Sequence, residues 1–220
     1  MTTGWPLLRP MWFEFPDDTR FYSTPTQFMF GSSILVAPKL TEPKGVYKKL
    51  NMQQVTYALP SAATWYNYYS KQSVASTADG EWQTATLSDL EQAVYIRGGT
   101  ILPILQHDDC MALLPCMENS ITLEIYPDNN GNATGKLYVD DYSSLDHQQD
   151  QDKYSLLATF TYKDNTLNST ITWGGDYSGF VPTVTVLKIY NQLTAPTYVK
   201  DWLWNDIPYV YEATTKTLFV

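Results

Sequence analysis

Basic residues are scarce in this 220-residue chain: 14 lysines and arginines stand against 23 aspartates and glutamates, a net charge of −9 with histidine neutral. That balance repels a phosphate backbone, and the only dense basic spot is Lys44, Lys48 and Lys49, so no nucleic-acid partner is expected. Long apolar runs are also missing. None approaches the roughly 20 residues of a transmembrane helix, and no membrane span is expected. The opening MTTGWPLLRP lacks the charged end and apolar stretch of a secretory signal. Histidine and cysteine number two each. His107, Cys110, Cys116 and His147 follow no usual zinc spacing, and no metal or other cofactor is expected. Cys110 and Cys116 are either a short-loop disulfide, if the compartment is oxidising, or two unrelated thiols.

What the chain has in quantity is aromatic side chains: seven Trp, 17 Tyr and eight Phe. These suit β-structure, and they suit sugar binding, where a ring face stacks on the apolar face of a pyranose. Period-2 alternation dominates, in segments cut by Gly, Pro, Asn and Asp, and amphipathic helices are absent. After Pro38 the candidate strands are 55–59, 64–69, 82–87, 94–97 and 101–103, then 121–126, 135–139, 156–162, 167–173, 183–190, 198–204, 209–211 and 218–220. Alternation with one wet face predicts antiparallel sheets packed face to face. Asp128-Asn129-Asn130-Gly131 is a turn signal, and a domain boundary is expected near Asn119.

The beginning reads differently. Pro10–Phe15 and Ser33–Ala37 are nearly continuous apolar runs, the pattern of parallel strands buried on both faces. Residues 23–31 between them read as a short helix, with Ser23 or Thr24 near its cap and Gly31 at its end. Two such strands leave unpaired backbone groups and bare apolar faces, so partner strands are expected from an upstream segment. Without that segment the first 42 or so residues are not expected to fold independently.

Five ordered segments carry a resemblance. Gly4-Trp-Pro-Leu-Leu-Arg-Pro-Met-Trp-Phe-Glu-Phe-Pro-Asp17, Gln27–Pro38, Tyr57–Tyr66, Ile96–Pro103 and Gly135–Asp141 resemble, in order, "G-x-P-x-x-R-P-L-W-x-E-F-P-x-D", "Q-F-x-x-G-x-x-L-L-V-A-P", "Y-L-P-x-G-x-W-Y", "x-R-G-G-x-I-I-P" and "G-x-L-Y-x-D-D-G" of glycoside hydrolase family 31, the α-glucosidases. The family's final glycine is replaced here by Tyr142. The resemblance implies residues 1–42 as the seventh and eighth strands of a catalytic (β/α)8 barrel, 43–118 as a proximal and 119–220 as a distal C-terminal β-sandwich. The expected fold is therefore mainly β, two antiparallel sandwiches after the end of a barrel. The implied activity is hydrolysis of terminal α-linked glucose with retention, through an aspartate nucleophile and an aspartate acid/base that both map upstream. The implied partners are the N-terminal and barrel portion of the same enzyme and a glycan substrate. This chain alone is expected to be inactive. The rival reading is a noncatalytic glycan-binding or scaffolding protein of the same descent, and an upstream "W-x-D-M-N-E"-like segment would decide for the enzyme.

The local carboxylates fit catalysis poorly. A retaining pair needs two carboxyl groups roughly 5 to 5.5 Å apart facing one sugar, and neighbours such as Asp140 and Asp141 point to opposite strand faces. Asp17 and Asp18 read as a polar turn after Pro16, and Glu14 requires a partner, for which Arg9 and Arg97 are the candidates. Asp146–Asp152 reads as a solvated loop rather than a calcium site. Trp65, Tyr66, Tyr68 and Tyr69 read as packing rather than a sugar platform. Asn132-Ala-Thr and Asn168-Ser-Thr are N-glycosylation acceptors, which with the cysteines and the resemblance favours a secretory lumen: endoplasmic reticulum, lysosome or cell exterior.

Overall fold

Extended backbone is imposed on Arg9 by the proline that follows it. The computed structural model describes residues 4–40, 53–79, 81–88, 91–105 and 120–220, and its first strand is β1, Leu8–Pro10. Pro10, at φ −60°, then leads into a single helical turn, Met11–Glu14, closed by a 3.0 Å bond from the Phe15 amide to the Met11 carbonyl. Pro16 stops it. This corrects the strand expected over Pro10–Phe15. Periodicity cannot separate a short buried strand from a buried helical turn. In the helical turn Met11 and Phe15, four apart, both enter the core, whereas a strand would have aligned Phe13 with them.

The helix expected within 23–31 is likewise replaced. A 3-10 helix spans Thr19–Ser23, capped by the Asp18 side chain, and Phe28–Phe30 is strand β2. The first unit continues with β3 (Ile34–Ala37), β4 (Gln53–Tyr57), β5 (Trp65–Asn67), β6 (Ser73–Val74), β7 (Gln83–Leu87) and β8 (Ala93–Arg97). One six-stranded sheet runs β1-β2-β3-β8-β5-β6. Within it β3 is antiparallel to both β2 and β8. The expected parallel pairing is thus corrected, and the strands called partnerless find partners inside the chain. Leu35 and Ala37 of β3 are buried and Ile34 and Val36 half-buried, so both faces are partly covered, which is why the run looked like a parallel strand. A separate antiparallel ladder joins β4 to β7. Its Val55, Tyr57, Ala85 and Leu87 share one core with Met11, Phe15, Leu35, Trp65 and Tyr95.

The second unit starts at Gly99. Its strands are β9 (Thr100–Leu105), β10 (Ile121–Tyr126), β11 (Ala133–Asp140), β12 (Ser155–Lys163), β13 (Thr166–Trp173), β14 (Val184–Ile189), β15 (Val210–Glu212) and β16 (Thr217–Phe219), in the order β13-β12-β11-β9-β10-β14-β16-β15. Because β9 pairs with β10 along its whole length, the two units divide between Gly98 and Gly99 rather than near Asn119. Most pairings are antiparallel, but β10 runs parallel to β14. Ile101, Ile121, Leu123, Ile125, Ala133, Phe160, Ile189 and Leu218 form one cluster.

The turn at Asp128–Gly131 is built as its residues demand: the Asp128 carboxylate accepts the amides of Asn130 and Asn132 at 2.8 and 2.9 Å, and Gly131 takes φ +78°. The expected strand at 198–204 is not a ladder strand; it is a turn with one isolated bridge between Lys200 and Asp206. The Asp201 carboxylate there takes backbone amides that a ladder would need. No helix among the described residues is long and apolar enough to cross a membrane.

At Gly135 the sheet is closest: a Cβ there would lie 2.2 Å from the Ile101 carbonyl oxygen, so β11 can sit beside β9 only without a side chain. Gly135→Ala is expected to destabilise the second unit by about 1–3 kcal/mol, whereas Gly175→Ala, which meets nothing within 4 Å, should be close to neutral. Urea denaturation of the two variants beside the parent checks this.

Candidate functional site

Charged residues from two distant segments converge on Glu14. Arg9 ends its approach along β1 with Nε donating to the Pro6 carbonyl at 2.8 Å, and its Nη1 donates to Glu14 Oε1. Arg97, the last residue of β8, brings Nη1 to 3.4 Å from Glu14 Oε2. The carboxylate side chain is only 9% exposed, so both its oxygens are occupied by guanidinium donors in a partly dry setting. Both candidate partners of Glu14 are therefore its actual partners.

Aromatic rings complete the cluster. The Arg9 guanidinium lies 5.3 Å from the Trp5 ring centre and 5.8 Å from that of Phe13, and Arg97 lies 4.9 Å from that of Phe15. Trp5 and Phe13 meet edge to face at 5.2 Å. Trp5, Trp12 and Tyr22 keep large exposed areas, and Trp12, Pro16 and Tyr22 line a shallow depression. Chemically this is a braced apolar surface. Glu14 has no free oxygen facing a cleft and cannot serve as a nucleophile or acid/base in this arrangement.

Asp18, Asp140 and Asp141 hold turns. Asp18 accepts from Arg20 Nε at 2.9 Å, which with the neighbouring guanidinium charge holds its carboxyl below the usual range. The same Arg20 donates to the carbonyls of Ala78 and Glu81 at 2.9 and 2.6 Å, tying the 3-10 helix to a turn nearly sixty residues later. Asp140 accepts from the Tyr138 hydroxyl and the Tyr142 amide, both at 2.8 Å. Burial and this carboxylate push the Tyr138 phenol up to about 12. Asp141 accepts the amides of Ser143 and Ser144 at 3.2 and 3.1 Å. Asp140 ends β11 and both carboxylates hold the turn that follows it, an arrangement unlike a retaining pair.

In the acidic loop, Asp150 caps the helical turn Gln151–Tyr154, and Asp152 accepts the Gly174 amide at 2.6 Å. The His147 imidazole stands 3.8 Å from Asp140. Among the described residues no three His, Cys, Asp or Glu side chains come together as a metal site. His107, Cys110 and Cys116, and with them the disulfide reading, lie outside the described residues, as do Lys44, Lys48 and Lys49. Trp65 and Tyr66 are fully buried, with Trp65 Nε1 donating to the Pro60 carbonyl at 2.9 Å, so they belong to packing. Tyr68 and Tyr69 are exposed and meet edge to face. Asn132 is half-buried at the Asp128 turn, and Asn168 is exposed on β13, an edge strand.

One buried group escaped the sequence. β10 buries all six of its residues, so Glu124, on the face expected to be wet, is enclosed. It accepts from the Tyr126 hydroxyl at 2.5 Å and the Tyr190 hydroxyl at 3.0 Å, while the two rings stack at 4.8 Å. Burial first, then the carboxylate, pushes both phenols far above the ordinary tyrosine range. The only sequence hint was the unusual density of β-formers around it.

Residues 4–102 match the glycosyl hydrolase family 31 C-terminal domain. An α-glucosidase of Schizosaccharomyces pombe is 31% identical over 84% of this chain, and a glucoamylase of Schwanniomyces occidentalis 32% identical over 86%. The chain belongs to glycosyl hydrolase family 31. It spans about a fifth of the length of these relatives, 18% of each. Among solved structures, a glucosidase II alpha subunit superposes with a TM-score of 0.72 at 19% identity, covering 97% of this chain and 24% of that one. A family 31 dextranase of Flavobacterium johnsoniae gives 0.69 at 22%, covering 99% and 28%. These two likenesses show the shared fold. The family segments quoted above supply Arg9, Glu14 and Arg97, and the fold brings all three to one point.

Glu14→Gln removes the charge that two guanidiniums share. It is expected to cost the first unit about 3 kcal/mol, the range for one broken partner of a buried pair. The urea midpoint of the variant, read from tryptophan fluorescence, checks the loss.

Proposed function

We infer that this chain is the C-terminal part of a retaining α-glucosidase that acts on terminal α-linked glucose, with both catalytic aspartates contributed by upstream residues. The supporting observation is the match to an α-glucosidase and a glucoamylase of which this chain covers only 18% each, taken with Glu14 engaged in an ion pair and Asp140 and Asp141 in a turn. In this reading the first unit is the proximal sandwich, with an opening segment that adjoins the barrel, and the second unit is the distal sandwich. The upstream portion of the same polypeptide is the partner, and the braced surface around Trp5, Trp12 and Tyr22 is where it joins.

The substrate class extends to polymers. Relatives bear the names glucoamylase, glucan 1,3-alpha-glucosidase and dextranase. A chain of α-linked glucose is therefore the substrate proposed for the whole enzyme. Expression of residues 1–220 alone should give no turnover of a chromogenic α-glucoside, whereas the polypeptide extended through the upstream barrel should give it. Turnover by the short chain would overturn the placement of the aspartates.

The enzyme is proposed to work in a secretory lumen or outside the cell. One structural relative is described as an ER glucosidase II, and Asn132 and Asn168 stand in acceptor triplets. Peptide mass spectrometry of the native protein should find glycan on Asn168, which is exposed, at higher occupancy than on the half-buried Asn132. Bare asparagines at both positions, with free thiols at Cys110 and Cys116, would place the protein in a reducing compartment.

A further inference from the structure

Tryptophan normally spends its large area on burial. Trp202 and Trp204 do the opposite, at 86% and 75% exposed, and Tyr198 and Leu203 beside them are exposed as well. The turn that carries them is held tightly. The Asp201 carboxylate accepts the amides of Leu203 and Asn205 at 2.8 and 2.9 Å and the Asn205 side-chain amide at 2.9 Å. Backbone bonds run from the Asp201 amide to the Asn205 carbonyl at 3.0 Å and from the Trp204 amide to the Asp201 carbonyl at 3.1 Å. Lys200 Nζ lies 2.9 Å from Asp206 and donates to the Trp204 carbonyl at 3.3 Å. Trp204 sits at φ +65°, a conformation unfavourable for a bulky residue, which these bonds maintain.

Two exposed indoles on a fixed backbone form a preorganised surface that loses little backbone freedom on binding. Its charge narrows the occupant. Asp201 and Asp206 flank the indoles, the one cation of the turn, Lys200, is already engaged, and the whole chain carries −9. Phosphate headgroups and nucleic acids are repelled by such a surface. A neutral polyol is not: indole faces suit the apolar faces of pyranose rings, and the exposed Asn205 and Asp206 offer polar atoms to hydroxyl groups.

We propose that the Lys200–Asp206 turn is a noncatalytic contact site for chains of α-linked glucose, through Trp202 and Trp204. It rests on the α-glucosidase reading above and deepens it, placing a second grip on the polymer in the distal unit. The test uses the full enzyme, with its upstream portion, and three readouts: retention in a native gel containing amylopectin, turnover of a chromogenic α-glucoside, and Tm. Trp202→Ala/Trp204→Ala should weaken retention about fivefold or more, with Tm and turnover of the small glucoside unchanged. Trp202→Tyr/Trp204→Tyr, which keeps an aromatic face, should restore most of the retention. Retention equal to the parent's in the alanine variant would overturn the proposal, as would a parent enzyme that amylopectin does not retard. A joint fall of Tm and small-glucoside turnover would also overturn it, since the indoles would then be packed against the upstream portion. Indole-dependent retention by a protein that cleaves no α-glucoside would leave this site standing and overturn the α-glucosidase reading alone.

Discussion

A carboxylate held between two guanidiniums organises the first unit. Burying Glu14 unpaired would be costly, and the pair is made only if β1 brings Arg9 and the end of β8 brings Arg97 to the same helical turn. Arg97 is in place only because β3 pairs with β8, which sets the register of the six-stranded sheet. The ion pair, the ladder and the aromatic rings around them therefore stand or fall together. Phe15 shows the coupling most directly, since it is buried in the core, meets Phe21 and Trp65, and carries the Arg97 guanidinium on its face.

The second unit solves the same problem with a different device. It buries a carboxylate as well, but Glu124 is met by two stacked phenols, with Lys188 at 3.9 Å, instead of arginines. Hydroxyl donors occupy both oxygens, and the parallel pairing of β10 with β14 sets Lys188 opposite Glu124 and brings Tyr190, just past the end of β14, within reach of the carboxylate. Neither buried carboxylate has a free oxygen for chemistry. Large aromatic rings stand exposed instead, Trp5, Trp12 and Tyr22 in one unit and Trp202 and Trp204 in the other.

Much of this was legible in the residues. Strand after strand in the second unit lies within a residue or two of its alternating pattern, because a half-buried strand must alternate. The Asp128–Gly131 turn and the failure of Asp140 and Asp141 as a catalytic pair followed from local chemistry that needs no distant partner. The opening segment was misread for a definite reason. Met11–Phe15 is apolar except for Glu14 and Ile34–Ala37 is apolar throughout, and such a run does not say whether it is a helical turn, a parallel strand or an antiparallel strand covered on both sides.

By itself the sequence determined the mainly-β character, the family and the Asp128–Gly131 turn, since these rest on alternation, on turn residues and on ordered segments that carry their meaning locally; for Glu14 it named candidate partners, which only the fold could bring together. Only the tertiary structure decided where the units divide, how β3 pairs, that Glu124 is buried and that the indoles of the 201–205 turn face solvent. Each of those depends on which distant strand supplies the backbone partner or the covering face, and a local pattern is equally satisfied by several such partners.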